Sequence, residues 1–221
     1  AASDVYKRQG STLLDLGSGL GGPARTLAEF YGCDVIGIDL TEEFCEAANV
    51  MSSWLGLSSK VHCQQGDATD LPFPDQHFDA VMTFHVAMNI PDKRQVYAEA
   101  RRVVRPGGIF AVYDILQGDG GEVSYPVPWA ADPALSHLVT PDDMAALLSA
   151  AGFAILAVHD SSEESHAALK AAAARPAAEG YADQASPTQL LFGDSLAEMA
   201  SIQLRGLAER RIRTVSYICR A

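Results

Sequence analysis

The residues with the clearest chemical potential in this chain of 221 amino acids are an aspartate and a glycine cluster near its start. Asp15 lies in an apolar run, and Gly17, Gly19 and Gly21 follow at alternate positions with Ser18 among them. Glycines permit a sharp turn and let a ligand approach the backbone without interference from Cβ atoms. A helical pattern begins directly afterwards, and a helix N-terminus offers free N–H groups to a carboxylate or phosphate. The stretch therefore predicts a strand, a ligand-binding loop and the start of a helix.

Two interpretations of this loop compete. Gly17, Gly19 and Gly22 satisfy the pattern G-x-G-x-x-G, which is typical of dinucleotide-binding proteins and would indicate a nicotinamide oxidoreductase. With Asp15 two positions before the first glycine, the same residues also match the first motif of a second class of cofactor-binding enzymes. A glycine pattern alone is weak evidence, so the other strand ends must discriminate.

Three later stretches follow predicted strands, where open α/β sheets bind ligands. Asp39 ends the second strand, Asp67 and Ala68 follow the third, and a segment beginning at His85 follows the fourth. A carboxylate at the position of Asp39 accepts hydrogen bonds from ribose hydroxyls in either class of enzyme, so it does not separate the two interpretations.

The order and spacing of the motifs from Thr12 to Asp114 resemble the cofactor-binding half of class I S-adenosylmethionine (SAM) methyltransferases of the small-molecule type 11 group. The distinguishing motifs are Gly66-Asp67-Ala68 followed by Leu71-Pro72-Phe73, and the block Arg102-Val103-Val104-Arg105-Pro106-Gly107-Gly108. Dinucleotide enzymes have neither motif. The resemblance implies a Rossmann-like α/β fold with a seven-stranded, mostly parallel sheet, an antiparallel last strand and helices on both faces. It also implies SAM as the cofactor and S-adenosylhomocysteine as its product, with no metal.

The resemblance assigns a role to each matching position of the cofactor site. The methionine end would lie on the loop, the ribose on the second strand, the adenine beside the third and the sulfonium against the fourth. The corresponding residues are Asp15, Gly17, Ser18, Gly19 and Gly21; then Asp39 and Leu40; then Asp67 and Ala68; then His85 and Val86.

The acceptor is predicted to lie beyond the fourth and fifth strands. Met88, Asn89, Tyr113 and Trp129 are the candidate substrate-binding residues, and Tyr113-Asp114 is expected to face the methyl group. His85 is the candidate catalytic base, with a role as a hydrogen-bonded wall residue equally open.

The resembling enzymes methylate different acceptors. They include sarcosine/dimethylglycine and phosphoethanolamine N-methyltransferases, and sterol, tocopherol and quinone methyltransferases. Methylation of an amine nitrogen is slightly preferred, and the alternative is C- or O-methylation of a quinone or sterol-like lipid. A nicotinamide oxidoreductase and a non-catalytic SAM-binding fragment are the alternatives outside this class.

The composition of the chain disfavours nucleic acid and membrane partners, which leaves a small molecule as the expected partner. The formal net charge of −12 disfavours nucleic acid, whose binders must neutralise phosphates. No apolar run reaches the ~20 residues that span a bilayer, so no integral membrane association is expected. Four scattered cysteines without a C-x-x-C pair indicate reduced thiols in a cytoplasmic protein.

Residues 1–10 are polar and unpatterned, which predicts a disordered or non-native tail on a single domain covering 11–221. Resembling enzymes carry one or two helices before the first strand, so an upstream segment is expected to be missing.

Two later elements also have predicted bounds. The fifth strand is expected at Ile109–Ile115. A helical insertion is predicted over 161–211, opened by a capping box at Ser161-x-x-Glu164 and ending in a helix over Thr188–Glu209. This insertion would either cover the site or pair with a second copy in a homodimer.

Overall fold

Strands and helices alternate along most of the chain. The structure is a computed structural model that describes residues 10–173, 189 and 192–221. Its strands are β1 (Thr12–Leu16), β2 (Asp34–Asp39), β3 (Val61–Gln65), β4 (Phe78–Phe84), β5 (Val104–Gln117), β6 (Ala154–Asp160) and β7 (Ile212–Arg220). Its α-helices are α1 (Gly22–Tyr31), α2 (Glu42–Trp54), α3 (Lys93–Val103), α4 (Pro141–Ala150), α5 (Ser162–Ala173) and α6 (Leu196–Ala208). Within these described ranges no helix is both long and apolar enough to cross a membrane.

The seven strands form one sheet in the order β3-β2-β1-β4-β5-β7-β6. Pairing is parallel from β3 through β5, and β7 runs antiparallel to both of its neighbours. This confirms the predicted seven-stranded sheet with an antiparallel last strand. Because the first five strands are parallel, the segments that follow β1, β2, β3 and β4 all emerge at one edge of the sheet.

The alternation of side chains along β1 divides the core into two layers. Leu13 packs into a cluster with apolar residues of α1 and α2, while Leu14 and Leu16 face a larger cluster with residues of α3 and α4. Helices therefore cover both faces of the sheet, which holds the strand ends rigidly enough to position a site.

Strand β5 begins at Val104, five residues earlier than the sequence pattern predicts. Val104 pairs with Phe78, and the pairing resumes only at Ile109 with Ala80. The intervening residues form a bulge in which Gly107 has a φ of 76°. The Pro-Gly-Gly block does end α3, but the backbone stays extended through it because β4 offers a partner on both sides of the bulge.

The region between β6 and β7 differs from prediction in detail. The predicted capping box is wrong, because the Ser161 hydroxyl donates to Tyr113 Oη at 3.2 Å, and Asp160 Oδ1 accepts the N–H of Ser162 at 3.0 Å. Helix α6 starts at Leu196 after a short 3₁₀ turn over Gly193–Ser195, and Thr188 lies outside the described residues. Residues 1–9, the bulk of the predicted tail, also lie outside them.

Candidate active site

The backbone of the glycine loop is fastened to the end of β2. The N–H groups of Gly17 and Ser18 both donate to the Ile38 carbonyl, at 2.8 and 3.0 Å. The Gly19 N–H donates to Asp39 Oδ2 at 2.8 Å, and the other carboxylate oxygen of Asp39 accepts the N–H of Thr41 at 3.0 Å. Two predicted site segments are thus joined by one carboxylate, whose remaining lone pairs stay available to a ligand.

Asp15 lies at the base of this loop and is 1% exposed. Burial, reinforced by the nearby Asp39 carboxylate, raises its pKa from 3.8 to about 8. Within the described part of the chain, its Oδ2 atom has no hydrogen-bond partner. A buried acceptor without a partner is costly and is therefore typical of a site completed by a ligand.

Gly17 is required by a close contact as well as by its backbone. It has a φ of 71°, which disfavours side chains. A Cβ atom at this position would lie 2.3 Å from Cγ2 of Val86. The segment after β4 therefore packs directly on the glycine loop, and the two predicted walls of the cofactor site touch.

The predicted adenine end is more open. Leu40 follows the end of β2 and is 71% exposed, so its apolar side chain is accessible to a ligand. Asp67 Oδ1 accepts the N–H and the hydroxyl of Thr69, at 2.8 and 2.7 Å, and these bonds lower the pKa of Asp67. Asp67 is thus an ionised acceptor held in a fixed orientation, next to Ala68, which packs against the core.

His85 occupies a strained position at the end of β4. Its φ is 58°, a left-handed conformation that non-glycine residues seldom adopt. Its N–H donates to the Tyr113 carbonyl at 2.8 Å, and its ring packs on the Tyr113 ring with centroids 4.8 Å apart. Loss of solvation lowers the pKa of His85 below 6.5, so the ring is neutral near pH 7. A neutral imidazole can accept a proton.

A cavity of about 410 Å³ opens beside His85. Most of its wall is apolar, and its lining comes from β5, the loop after it and the region of α6 as well as from the segment after β4. The lining residues are His85, Met88, Asn89, Ile115, Pro128, Trp129, Phe192 and Gln203.

The structure brings together most of the predicted acceptor residues but not all. Met88, Asn89 and Trp129 line the cavity with His85, whereas Tyr113 lies behind the His85 ring and directs its hydroxyl to Ser165 Oγ at 3.2 Å. The expectation that Asp114 faces the methyl group is wrong. Asp114 is 1% exposed and points into the protein.

Sequence reasoning missed three lining residues, namely Ile115, Phe192 and Gln203, whereas Pro128 belongs to the loop that was expected to form part of the acceptor pocket. The apolar cluster beside the cavity joins Met88 and Trp129 to Leu169 of α5 and Leu207 of α6. The helices before β7 therefore contact the predicted site. Their contribution could not be read from the chain order because it depends on how α5 and α6 fold back over β5.

Comparison with known proteins agrees with this geometry. A family model described as a methyltransferase domain matches residues 14–112. The sterol 24-C-methyltransferase ERG6B of Gibberella zeae is 41% identical over 118 residues, which are 53% of this chain and 31% of that protein. The match thus spans about a third of the length of this curated relative.

Solved structures share the architecture over nearly the whole chain. Phosphoethanolamine N-methyltransferase 2 of Haemonchus contortus, solved with S-adenosyl-L-methionine, has a TM-score of 0.82 at 19% identity, covering 96% of this chain and 49% of that one. The [4+2]-cyclase SpnF has a TM-score of 0.73 at 24% identity, covering 99% and 80%. These likenesses establish the fold. Residues 14–112 thus match a methyltransferase domain, and the chain shares its fold with a solved methyltransferase that binds S-adenosyl-L-methionine.

Proposed function

We propose that this chain binds SAM at the edge formed by β1, β2 and β3 and transfers its methyl group to an apolar small molecule held beside His85. The observation that carries the proposal is the apolar cavity of about 410 Å³, which opens at His85 next to the glycine loop. A cofactor edge and an acceptor cavity that adjoin at His85 and Val86 are what a group-transfer enzyme requires.

The residues at the cofactor edge fit SAM. The unpartnered oxygen of Asp15 is a buried acceptor suited to the cofactor's ammonium group. The cradle at Gly17 excludes a side chain, and Asp39 and Asp67 supply oriented carboxylates for ribose hydroxyls and the adenine amino group. The exposed Leu40 side chain would pack on the adenine ring.

When bound, SAM supplies an activated methyl group on a positively charged sulfur. The work left to the protein is alignment and exclusion of water. Val86 fixes the wall next to the glycine loop, and the strained backbone of His85 sets the direction of its ring. A neutral His85 could accept a proton from an acceptor that arrives protonated, and it would act only as a wall where no proton is lost.

The lining of the cavity supports an apolar acceptor. Ile115, Pro128 and Phe192 contribute only hydrocarbon surface, and Asn89 and Gln203 are uncharged. Among the described residues that line the cavity, none carries a carboxylate that could pair with a cationic amine. Together with the similarity to a sterol C-methyltransferase, this favours C- or O-methylation of a sterol- or quinone-like molecule over the amine preferred on sequence grounds.

The same proposal includes a cellular location and an oligomeric state. All four cysteines are free and buried, which supports a reducing, cytoplasmic location. A homodimer is the remaining proposed partner, and light scattering of the purified chain measures it directly.

Two measurements test the function in sequence. Calorimetric titration with S-adenosylhomocysteine, with NADH as the control, should give micromolar binding of the former alone. Incubation with methyl-labelled SAM and a panel of prenylated quinones, sterols and small amines should then place label in an apolar extract. Label only in amines would refute the apolar acceptor, and NADH binding without S-adenosylhomocysteine binding would refute the cofactor.

A further inference from the structure

A buried lysine lies directly behind the acceptor cavity. Lys93 opens α3 and is only 5% exposed. Its ammonium group donates to the Ile90 carbonyl at 2.9 Å and to the His137 carbonyl. Lysine side chains are seldom this buried without a specific partner. Here the donors join two segments that are more than forty residues apart in the chain.

Asp114, near the C-terminal end of β5, is a second buried titratable group in this region. Burial raises its pKa to about 7, an effect that its backbone hydrogen bonds and the nearby Lys93 partly offset. One carboxylate oxygen of Asp114 accepts the Met88 N–H at 3.1 Å and the other accepts the Ile115 N–H at 2.9 Å. Asp114 therefore fixes the backbone of two residues that line the cavity.

Further bonds join the same two segments. The His137 N–H donates to the Met88 carbonyl at 2.7 Å. The Asn89 side-chain amide donates to the carbonyls of Trp129 at 2.6 Å and Leu135 at 3.1 Å. The loop that carries Trp129 is thus attached to the segment after β4 by side chains at both of its ends.

We propose that Lys93 and Asp114 are positioning residues that set the width of the acceptor cavity. Asp114 holds the wall formed by Met88, and Lys93 holds the loop of residues 128–137 against that wall. Both act through the backbone and touch neither the acceptor nor the cofactor. The assignment of the cavity to an acceptor rests on the proposed function, whereas the attachment of the loop does not.

Trp129 reports on this arrangement, because the chain has two tryptophans and the other, Trp54, is 76% exposed at the C-terminal end of α2. In a Trp54→Phe background, acrylamide quenching of fluorescence reads Trp129 alone. Lys93→Met removes the donors, and Lys93→Gln leaves a side chain too short to reach both carbonyls. The matched control is Lys60→Met, which removes a half-exposed lysine paired with Asp34.

The quenching constant of Trp129 should rise roughly twofold in Lys93→Met and less in Lys93→Gln, as expected for local opening of a loop in a folded protein. It should not change in Lys60→Met. Circular dichroism selects the folded variants, and the Gln variant carries the test if the Met variant fails to fold. Unchanged quenching in either folded Lys93 variant overturns the proposal.

The affinity for S-adenosylhomocysteine separates the proposed role of Lys93 from the proposed function of the protein. It should agree within about twofold in all variants, because the ammonium group of Lys93 bonds to Ile90 and His137 and to none of the proposed cofactor residues, which lie at the ends of β1, β2 and β3 and at His85 and Val86. If the Trp54→Phe reference itself fails to bind, the proposed function fails while the quenching result still decides the role of Lys93. A parallel loss of affinity and rise in quenching in the Lys93 variants would mean general loosening, and it would also overturn the proposal.

Discussion

Replacing Asp15 by asparagine should stabilise the protein while abolishing cofactor binding. Asp15 is 1% exposed and has one oxygen without a partner among the described residues, and its pKa is raised from 3.8 to about 8 by burial and then by Asp39. The folded state therefore holds a proton that the unfolded state has already released at neutral pH. Proteins often accept such a cost at a binding site.

Proton linkage gives the sign and the size of the expected change in the free energy of unfolding. Since the folded state binds more protons, the contribution of Asp15 to the free energy of unfolding falls as pH rises from about 4 to about 8. At about 1.4 kcal/mol per pH unit, wild type should lose roughly 3 kcal/mol relative to Asp15→Asn between pH 5.5 and pH 8. The amide of asparagine also lacks a full set of partners, so the absolute gain at pH 8 should be about 2–3 kcal/mol.

Urea unfolding of both proteins at the two pH values, followed by circular dichroism, measures this difference. Asp79→Asn is the matched control. Asp79 accepts the Thr12 N–H at 2.9 Å and pairs with Arg105, and these partners lower its pKa. Its removal should destabilise the protein equally at pH 5.5 and pH 8, because both values lie above the unfolded pKa of 3.8, and the effect should shrink only at lower pH. A stability difference for Asp15→Asn that does not change with pH would mean that Asp15 is ionised throughout, and the burial argument would be refuted.

Three further outcomes follow from the same geometry. If the cofactor ammonium binds an ionised Asp15, titration with S-adenosylhomocysteine at pH 7 in buffers of different ionisation enthalpy should report release of close to one proton, about 0.9 for a pKa near 8. Gly17→Ala should weaken that binding and cost roughly 1–3 kcal/mol of stability, since its Cβ would lie 2.3 Å from Val86 Cγ2, and Val86→Ala should recover part of the loss. Arg102→Met should lower the unfolding free energy by about 2–4 kcal/mol in urea titrations, because it leaves the buried Glu99 without its cationic partner at 2.7 Å, with only the Leu71 N–H still donating to its carboxylate.

The meeting of the candidate cofactor residues at one edge of the sheet could be predicted from sequence because its signals are local. Asp15 and Gly17 stand two residues apart, and Asp39 ends the next strand. In a parallel sheet, chain order then dictates that these ends meet at one edge. The bonds that join them, such as Gly19 N–H to Asp39 Oδ2, connect neighbouring strands whose order is set by the same rule.

The acceptor side could be predicted only in part, because its contacts are far apart in sequence. Trp129 could be placed near the site from its loop, but Phe192 and Gln203 reach the cavity through the packing of α6. Tyr113 and Asp114 show a second reason why the acceptor side could not be fully predicted from sequence. Neighbouring residues on a strand point to opposite faces, and nothing local indicates that the Asp114 carboxylate turns inward to the Met88 N–H.

The contrast between the local cofactor residues and the non-local acceptor cavity also bears on which reaction the protein catalyses. The backbone of the proposed cofactor edge is held by bonds such as that from the Gly19 N–H to Asp39, and a [4+2]-cyclase shares the fold over 99% of this chain. The fold therefore cannot by itself determine which bond is made. What distinguishes one enzyme from another must lie in the non-local cavity, where a loop held by Lys93 and residues of the α6 region define the space beside His85. Changes in acceptor specificity are accordingly expected from substitutions at Trp129 and Phe192, and not from substitutions at Asp39 or Asp67, which should alter cofactor affinity for every acceptor alike.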